Sequence, residues 1–197
     1  MRVQHIVSGF LGLAACALAA APAHAQSPTA RPISFGIAGG VTQPLGDFGD
    51  IASTGFNVMG TLGFQPTAQV FGFRADVAYH RFGLDDFEGV SVDGNANIIS
   101  GVASVVMTVS NSNGVRPYLI GGGGVYRQAV DADLGDGITV DDSETDFGLA
   151  GGGGISFPLG GMNAFIEARY HSVFSSGDDD EDSGNTNFIP VVIGIQF

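Results

Sequence analysis

The lengths of the connections constrain this chain more than any single motif. Eight segments alternate apolar and polar residues, running roughly Pro32–Val41, Gly55–Phe64, Gln69–Phe82, Ala96–Ser110, Val115–Arg127, Phe147–Phe157, Asn163–Val173 and Phe188–Phe197. Between them, "TQPLGDFGDIAST" is long, "QPTA" short, "GLDDFEGVSVDGN" long, "NSNG" short, "QAVDADLGDGITVDDSETD" the longest, "PLGGM" short and "FSSGDDDEDSGNTN" long. In an up-and-down sheet, alternate connections lie on the same edge, so the long ones gather at one end and the short ones at the other. No window carries a 3.6-residue apolar stripe, while period-two alternation is widespread. The expected fold is therefore all-β: a closed, eight-stranded, antiparallel up-and-down barrel with two unlike rims.

Charge follows the same division. Of the 20 Asp and Glu, 18 lie in the four long connections, 2, 4, 7 and 5 in chain order, and Asp76 and Glu167 alone lie inside segments. Within segments the polarity is inverted relative to a soluble barrel. Arg74, Asp76, Ala78 and His80 share one face, opposite Phe71, Phe73, Ala75, Val77 and Tyr79; Glu167, Arg169 and His171 share another, opposite Ile166, Ala168 and Tyr170. In the last segment Ile189, Val191, Ile193, Ile195 and Phe197 form one apolar face. At about 3.4 Å per residue, with strands tilted near 40°, that stripe is roughly 20 Å tall, close to the apolar band of about 25 Å on a membrane-spanning barrel. Each segment is long enough to cross a bilayer as a tilted strand, which takes about 9–11 residues. The fourth and fifth segments do not reveal their faces by parity.

The opening residues form a separate unit. One early charge, Arg2, precedes an apolar stretch from about Ile6 to Ala21, and Ala23-His24-Ala25 is a small-x-small cleavage pattern. Residues 1–25 are expected to be a cleaved signal peptide and residues 26–197 the barrel domain. "LAAC", Leu13 to Cys16, offers a competing lipoprotein cleavage at the chain's single cysteine. If cleavage follows Ala25, no thiol or disulfide chemistry remains. The formal charge is −13, with seven Arg and no Lys, which argues against a nucleic-acid partner because phosphate backbones need a basic surface.

Eight strands, the leader and the terminal "VVIGIQF" resemble the small outer-membrane β-barrel family of Gram-negative bacteria, which includes the OmpA transmembrane domain, OmpX and the opacity-type proteins. "FIEARYH" at Phe165–His171 and "RPYLIGGGG" at Arg116–Gly124 resemble segments of that family. The resemblance covers the whole mature chain. It implies an outer-membrane location, both termini on the periplasmic side, long connections facing out, and contacts with outer-membrane lipid and lipopolysaccharide. The tail, with Val191, Ile193, Ile195 and Phe197 alternating, also resembles the signal read by the barrel-assembly machinery.

Within the barrel, Arg74, Asp76, Glu167 and Arg169 sum to zero charge and are expected to pair across the lumen, since eight strands leave an interior that side chains fill. That favours a plug; a narrow ion path is the alternative. His80 and His171 lie further along the same faces. With loop carboxylates they have the makings of a metal site, although a polar lumen accounts for them without one. His171-Ser172 invites a hydrolase reading, because one family of such barrels deacylates lipid A with a His-x-Ser pair. Adjacent residues of a strand point to opposite faces, so base and nucleophile do not meet and no catalytic residues or cofactors are expected. Asp131, Asp133 and Asp136 in "DADLGDG" resemble a calcium loop but lack its spacing and its twelfth-position Glu, leaving divalent cations as bridges to lipid phosphates. The runs Gly121–Gly124 and Gly151–Gly154 mirror each other about residue 137. They provide either room for lumen side chains from the opposite wall or a contact surface on the outside; no nucleotide-binding signature follows them. The expected role is a non-enzymatic surface-interaction barrel, with a small channel and a lipid-modifying enzyme as alternatives.

Overall fold

A computed structural model describes residues 32–66, 70–83, 93–109, 114–133, 139–174 and 185–197. Eight strands, β1 (Ile33–Leu45), β2 (Gly55–Phe64), β3 (Phe71–Gly83), β4 (Asp93–Thr108), β5 (Arg116–Asp133), β6 (Thr139–Leu159), β7 (Met162–Phe174) and β8 (Thr186–Gln196), close into one barrel. Every strand is antiparallel to its sequence neighbours, and β8 returns to β1 in the register Ile37↔Ile195 and Val41↔Val191. Beyond the strand, Phe197 exchanges two backbone bonds with Phe35, its N–H donating to the Phe35 carbonyl at 2.7 Å and its carbonyl accepting at 3.2 Å. Closure leaves no sheet edge, the condition a sheet must meet to cross hydrocarbon.

The wall is apolar outward and polar inward. Val77 is 66% exposed, Ile193 63%, Phe35 62% and Phe73 61%, whereas Arg74, Asp76, Glu167 and Arg169 are all buried. In water so much contiguous apolar surface would drive association; against lipid it is the stable face. The strands whose parity was open resolve the same way: Ile98, Ser100, Val102 and Ser104 on β4 and Tyr118, Ile120 and Tyr126 on β5 are buried. Alternation failed to show this because glycine stands on both faces of β5.

Two features depart from the sequence expectation. First, β5 and β6 continue well past Arg127 and before Phe147, so most of the supposed longest loop is a paired hairpin, with Asp131 opposite Asp141. Ladder bonds join backbones regardless of side-chain charge, so carboxylates need not end a strand once it leaves the apolar band. Seven acids assigned to loops, Asp93, Asp131, Asp133, Asp141, Asp142, Glu144 and Asp146, therefore stand in strands. Second, the first long connection folds into a one-turn helix, α1 (Asp47–Ile51), between β1 and β2. Phe48 packs edge-on against Phe82 at 5.0 Å, and Ala52, just after α1, is buried. At the other rim the connection between β6 and β7 is a two-residue turn in which Gly160 and Gly161 have φ of 57° and 89°, the left-handed pair that such hairpins need.

Candidate functional site

The lumen is filled in two layers. The first is ionic. Residues two apart on a strand share a face, so β3 presents Arg74 and Asp76 together and β7 presents Glu167 and Arg169. These strands stand on opposite walls, and their charge orders are complementary. Arg74 Nη2 meets Glu167 Oε1 at 2.6 Å across the lumen, and Arg169 Nη2 meets Asp76 Oδ2 at 2.8 Å. Along each wall, Arg74 Nε lies 3.0 Å from Asp76 Oδ1 and Arg169 Nε 2.6 Å from Glu167 Oε1. Each arginine thus touches both carboxylates, giving a closed ring of four ion pairs. Tyr118 donates its hydroxyl to Glu167 Oε2 at 2.7 Å, and the Arg74 guanidinium sits 5.9 Å from the Phe165 ring centroid. Charges removed from water need such complete pairing, since an orphaned one costs several kcal/mol.

The second layer lies toward the long-connection rim and is aromatic. Phe188 stacks on His171 at 4.9 Å and contacts His80 at 5.0 Å, while Phe82 packs against Phe188 at 6.0 Å. His80 Nδ1 is hydrogen-bonded to Thr42 Oγ1 at 3.1 Å, and Thr42 Oγ1 accepts from Asn57 Nδ2 at 2.8 Å. His171 Nδ1 is hydrogen-bonded to the Tyr126 hydroxyl at 2.9 Å. Further along, Gln128 donates to the buried Asp146 at 3.1 Å, which places Asp146 in the lumen rather than on an acidic rim. Between the layers a cavity of about 20 Å³ is lined by Asn57, Asp76, His80, Glu167, Arg169 and His171, enough for about one water molecule.

All six lumen residues singled out in the sequence thus sit in one column, the four charges in direct contact and the two histidines above them, with ring centroids 6.2 Å apart. The tyrosines, Thr42, Asn57 and Phe188 were missed. For Tyr118 and Tyr126 a signal existed, two aromatic residues eight apart and so of equal parity, but nothing told that face from the other. Among the described residues no three His, Cys, Asp or Glu side chains converge as metal ligands. Asp131 and Asp133 have backbones in β5 but side chains outside the described set, and Asp136 lies outside the described residues altogether. Ser172 lies on the opposite face from the buried His171.

The glycine runs pair with an offset of three from the mirror symmetry of the sequence, Gly121 meeting Gly151 and Gly124 meeting Gly148. Their use is local. A Cβ on Gly154 would lie 2.6 Å from the Tyr118 hydroxyl, and one on Gly148 2.7 Å from the Tyr126 ring. A β7 backbone carbonyl stands as close, Ile166 O at 2.5 Å from the first and Ser172 O at 2.7 Å from the second, so the room is taken by the two neighbouring strands, not by the opposite wall. Outside, Gly121 lines a shallow depression of about 500 Å³ together with Leu62, Phe64, Phe73, Ala75 and Val105.

On the last strand Val191 and Ile193 face outward with Phe197, which is 59% exposed. The model of the outer membrane protein beta-barrel domain matches residues 11–197. Among solved structures, Neisserial surface protein A superposes with a TM-score of 0.58 at 18% identity, covering 84% of this chain and 96% of that one. A major outer membrane protein from Thermus thermophilus superposes with a TM-score of 0.59 at 12% identity, covering 85% and 99%. No curated protein matches the chain in sequence. These structural likenesses establish the architecture, and the domain match over nearly the full length establishes the kinship: the chain belongs to the outer membrane protein β-barrel domain family.

Proposed function

We propose that this is a non-enzymatic, non-conducting barrel that anchors a surface-exposed acidic rim. Both termini lie on the periplasmic side, and the β5–β6 hairpin and the other long connections face out. The observation that carries this reading is the closed ring of Arg74, Asp76, Glu167 and Arg169 across the lumen, capped by the Phe188–His171–His80 layer. A barrel whose opposite walls are tied by paired charges has no continuous water path at that level. The hydrolase alternative draws no support from geometry, since His171 is engaged by Tyr126 and Ser172 faces away. Planar-bilayer recordings are expected to show no porin-like conductance for the wild type, with rare openings in Arg169→Ala. A wild-type barrel that conducts like a porin would sink the plug. Unchanged lipid A mass spectra with and without the protein are the expected result on the enzymatic side. Protease shaving of intact cells, cutting the β5–β6 hairpin but leaving the β6–β7 turn whole, tests the orientation.

The alternating tail is read as the assembly signal, with Val191, Ile193, Ile195 and Phe197 as its elements. The two backbone bonds from Phe197 to Phe35 refine its test. Phe197→Ala keeps both bonds and removes only the ring, so it is expected to slow membrane assembly in cells while refolding normally in detergent. Equal impairment in both settings would make Phe197 a packing residue and nothing more.

A further inference from the structure

Three buried polar atoms border one small cavity, and together they match a single kind of molecule. The cavity of about 20 Å³ lies over Ala78, which stands between Asp76 and His80 on the inner face of β3. Met59 is opposite Ala78 on β2 and Ser100 on β4. Ala78 and Ser100 are small, which leaves the gap between the two lumen layers. Asn57, Asp76 and His80 all line it, and they are 2%, 4% and 2% exposed. Among the described residues, Asn57 Oδ1, Asp76 Oδ1 and His80 Nε2 have no hydrogen-bond partner. Arg74 Nε approaches Asp76 Oδ1 to 3.0 Å, but its one hydrogen is directed at Oδ2. The Thr61 hydroxyl, opposite Asp76 on β2, makes no hydrogen bond among the described residues. The other nitrogen of His80 sets its polarity. Asn57 Nδ2 donates to Thr42 Oγ1 at 2.8 Å, and Thr42 Oγ1 lies 3.1 Å from His80 Nδ1. A hydroxyl has one hydrogen. Thr42 accepts from Asn57 and gives that hydrogen to Nδ1, so His80 carries its own on Nε2. The cavity therefore presents one donor and two acceptors.

From this we infer that Asn57, Asp76 and His80 form a site for one structural water, which accepts from His80 Nε2–H and donates to Asn57 Oδ1 and Asp76 Oδ1. The volume holds about one such molecule, and buried waters typically make about three hydrogen bonds to groups without other partners. An ion of either sign fits worse. A cation would meet the His80 N–H and the Arg169 guanidinium; an anion would meet the carboxylates of Asp76 and Glu167. The four charges of the ring already sum to zero, so any ion would bring an uncompensated charge into the lumen. A water satisfies all three groups at once, which an apolar filler does not. Asp76 belongs to the ionic ring and His80 to the aromatic layer, so the water joins the two layers across the gap. It also holds His80 in one tautomer, from one ring nitrogen while Thr42 holds it from the other.

The test is NMR of the protein refolded in detergent micelles with isotope-labelled histidine, the His80 signals being assigned by their loss in His80→Gln. The expected result is a single His80 tautomer with its hydrogen on Nε2. That hydrogen should cross-relax with a water that stays long enough to tumble with the barrel. Two variants remove the water by different routes. Ala78→Val fills the cavity, and Asn57→Leu takes away an acceptor and adds bulk. Each is expected to lose the cross-peak, and heat-modifiable gel mobility checks that each is folded. A wild-type His80 with its hydrogen on Nδ1, or with no water contact at Nε2–H, would overturn the site. So would a cross-peak undiminished in either folded variant. A His80 resonance that moves when sodium chloride is exchanged for potassium nitrate at constant ionic strength would put an ion in the cavity and overturn the water assignment. The wild-type spectra alone can refute the site, so it stays open to failure even where a variant does not fold.

Discussion

The two layers of the lumen solve one problem in opposite ways. The ring of Arg74, Asp76, Glu167 and Arg169 fills the barrel with four buried charges joined by contacts of 2.6 to 3.0 Å. The layer above fills it with stacked rings, Phe188 between His80 and His171, tied to the wall by Thr42 and Tyr126. The ionic layer is specific: only the complementary orders Arg-x-Asp and Glu-x-Arg on facing strands close it. The aromatic layer depends more on volume and shape. Losing one member of the ring leaves one buried charge uncompensated, whereas losing one hydrogen bond above leaves the rings still packed. The ionic layer should therefore be the more brittle of the two.

Glu167 is the sharpest place to break that contrast. Its carboxylate accepts from Arg74, Arg169 and Tyr118 at once. Glu167→Ala leaves two guanidiniums sharing the single carboxylate of Asp76, one buried charge uncompensated, and is expected to cost about 3–5 kcal/mol, as breaking a buried pair does, read as a lower urea midpoint of the folded band in lipid vesicles. If the loss were under ~1 kcal/mol, the ring would be solvated and the lumen wetter than the cavity implies.

A matched pair of glycine substitutions comes next. Both layers seat a β5 tyrosine over a β6 glycine, Tyr118 over Gly154 and Tyr126 over Gly148. Gly154→Ala and Gly148→Ala each overpack a tyrosine and press on a β7 carbonyl, Ile166 O in the first and Ser172 O in the second, at about 1–3 kcal/mol. If the ionic layer is the brittle one, Gly154→Ala costs more, because it also displaces the Tyr118 hydroxyl from Glu167. A reversed order in the same unfolding assay would mean that the aromatic layer, not the ring, sets the barrel's tolerance.

These residues also mark what the chain reveals by itself. The ring was legible because charged residues two apart inside otherwise apolar strands have one place to go. The strand order and the wide outer face were legible because lipid imposes unbroken period-two patterning. The β5–β6 extension was not, since Asp131 to Asp146 read as loop chemistry although a backbone ladder accepts charge beyond the apolar band. Neither was the tyrosine seating, because Gly121–Gly124 and Gly151–Gly154 erase parity where the tyrosines would have been placed. The short helix α1 carried no periodic signal either; five residues are too few to show one, and the packing of Phe48 on Phe82 holds it in place.

The smallest expected effect belongs to Tyr126→Phe. The substitution keeps the ring, its edge-on contact with His171 at 5.8 Å and its place against Phe188 at 6.4 Å, removing only the hydroxyl bonded to His171 Nδ1. The cost should be about 1–2 kcal/mol, that of one unmet buried group, below Glu167→Ala by a clear margin. The same removal in the ionic layer, Tyr118→Phe, takes a donor from a carboxylate and should cost more, because hydrogen bonds to charged groups are the stronger kind. The two phenylalanine variants then differ by one hydroxyl each, in one strand and over glycines of one neighbour. If Tyr118→Phe proved the milder, Arg74 and Arg169 alone would satisfy Glu167, and the ring's brittleness would lie in its four charges rather than in the wall that supports them.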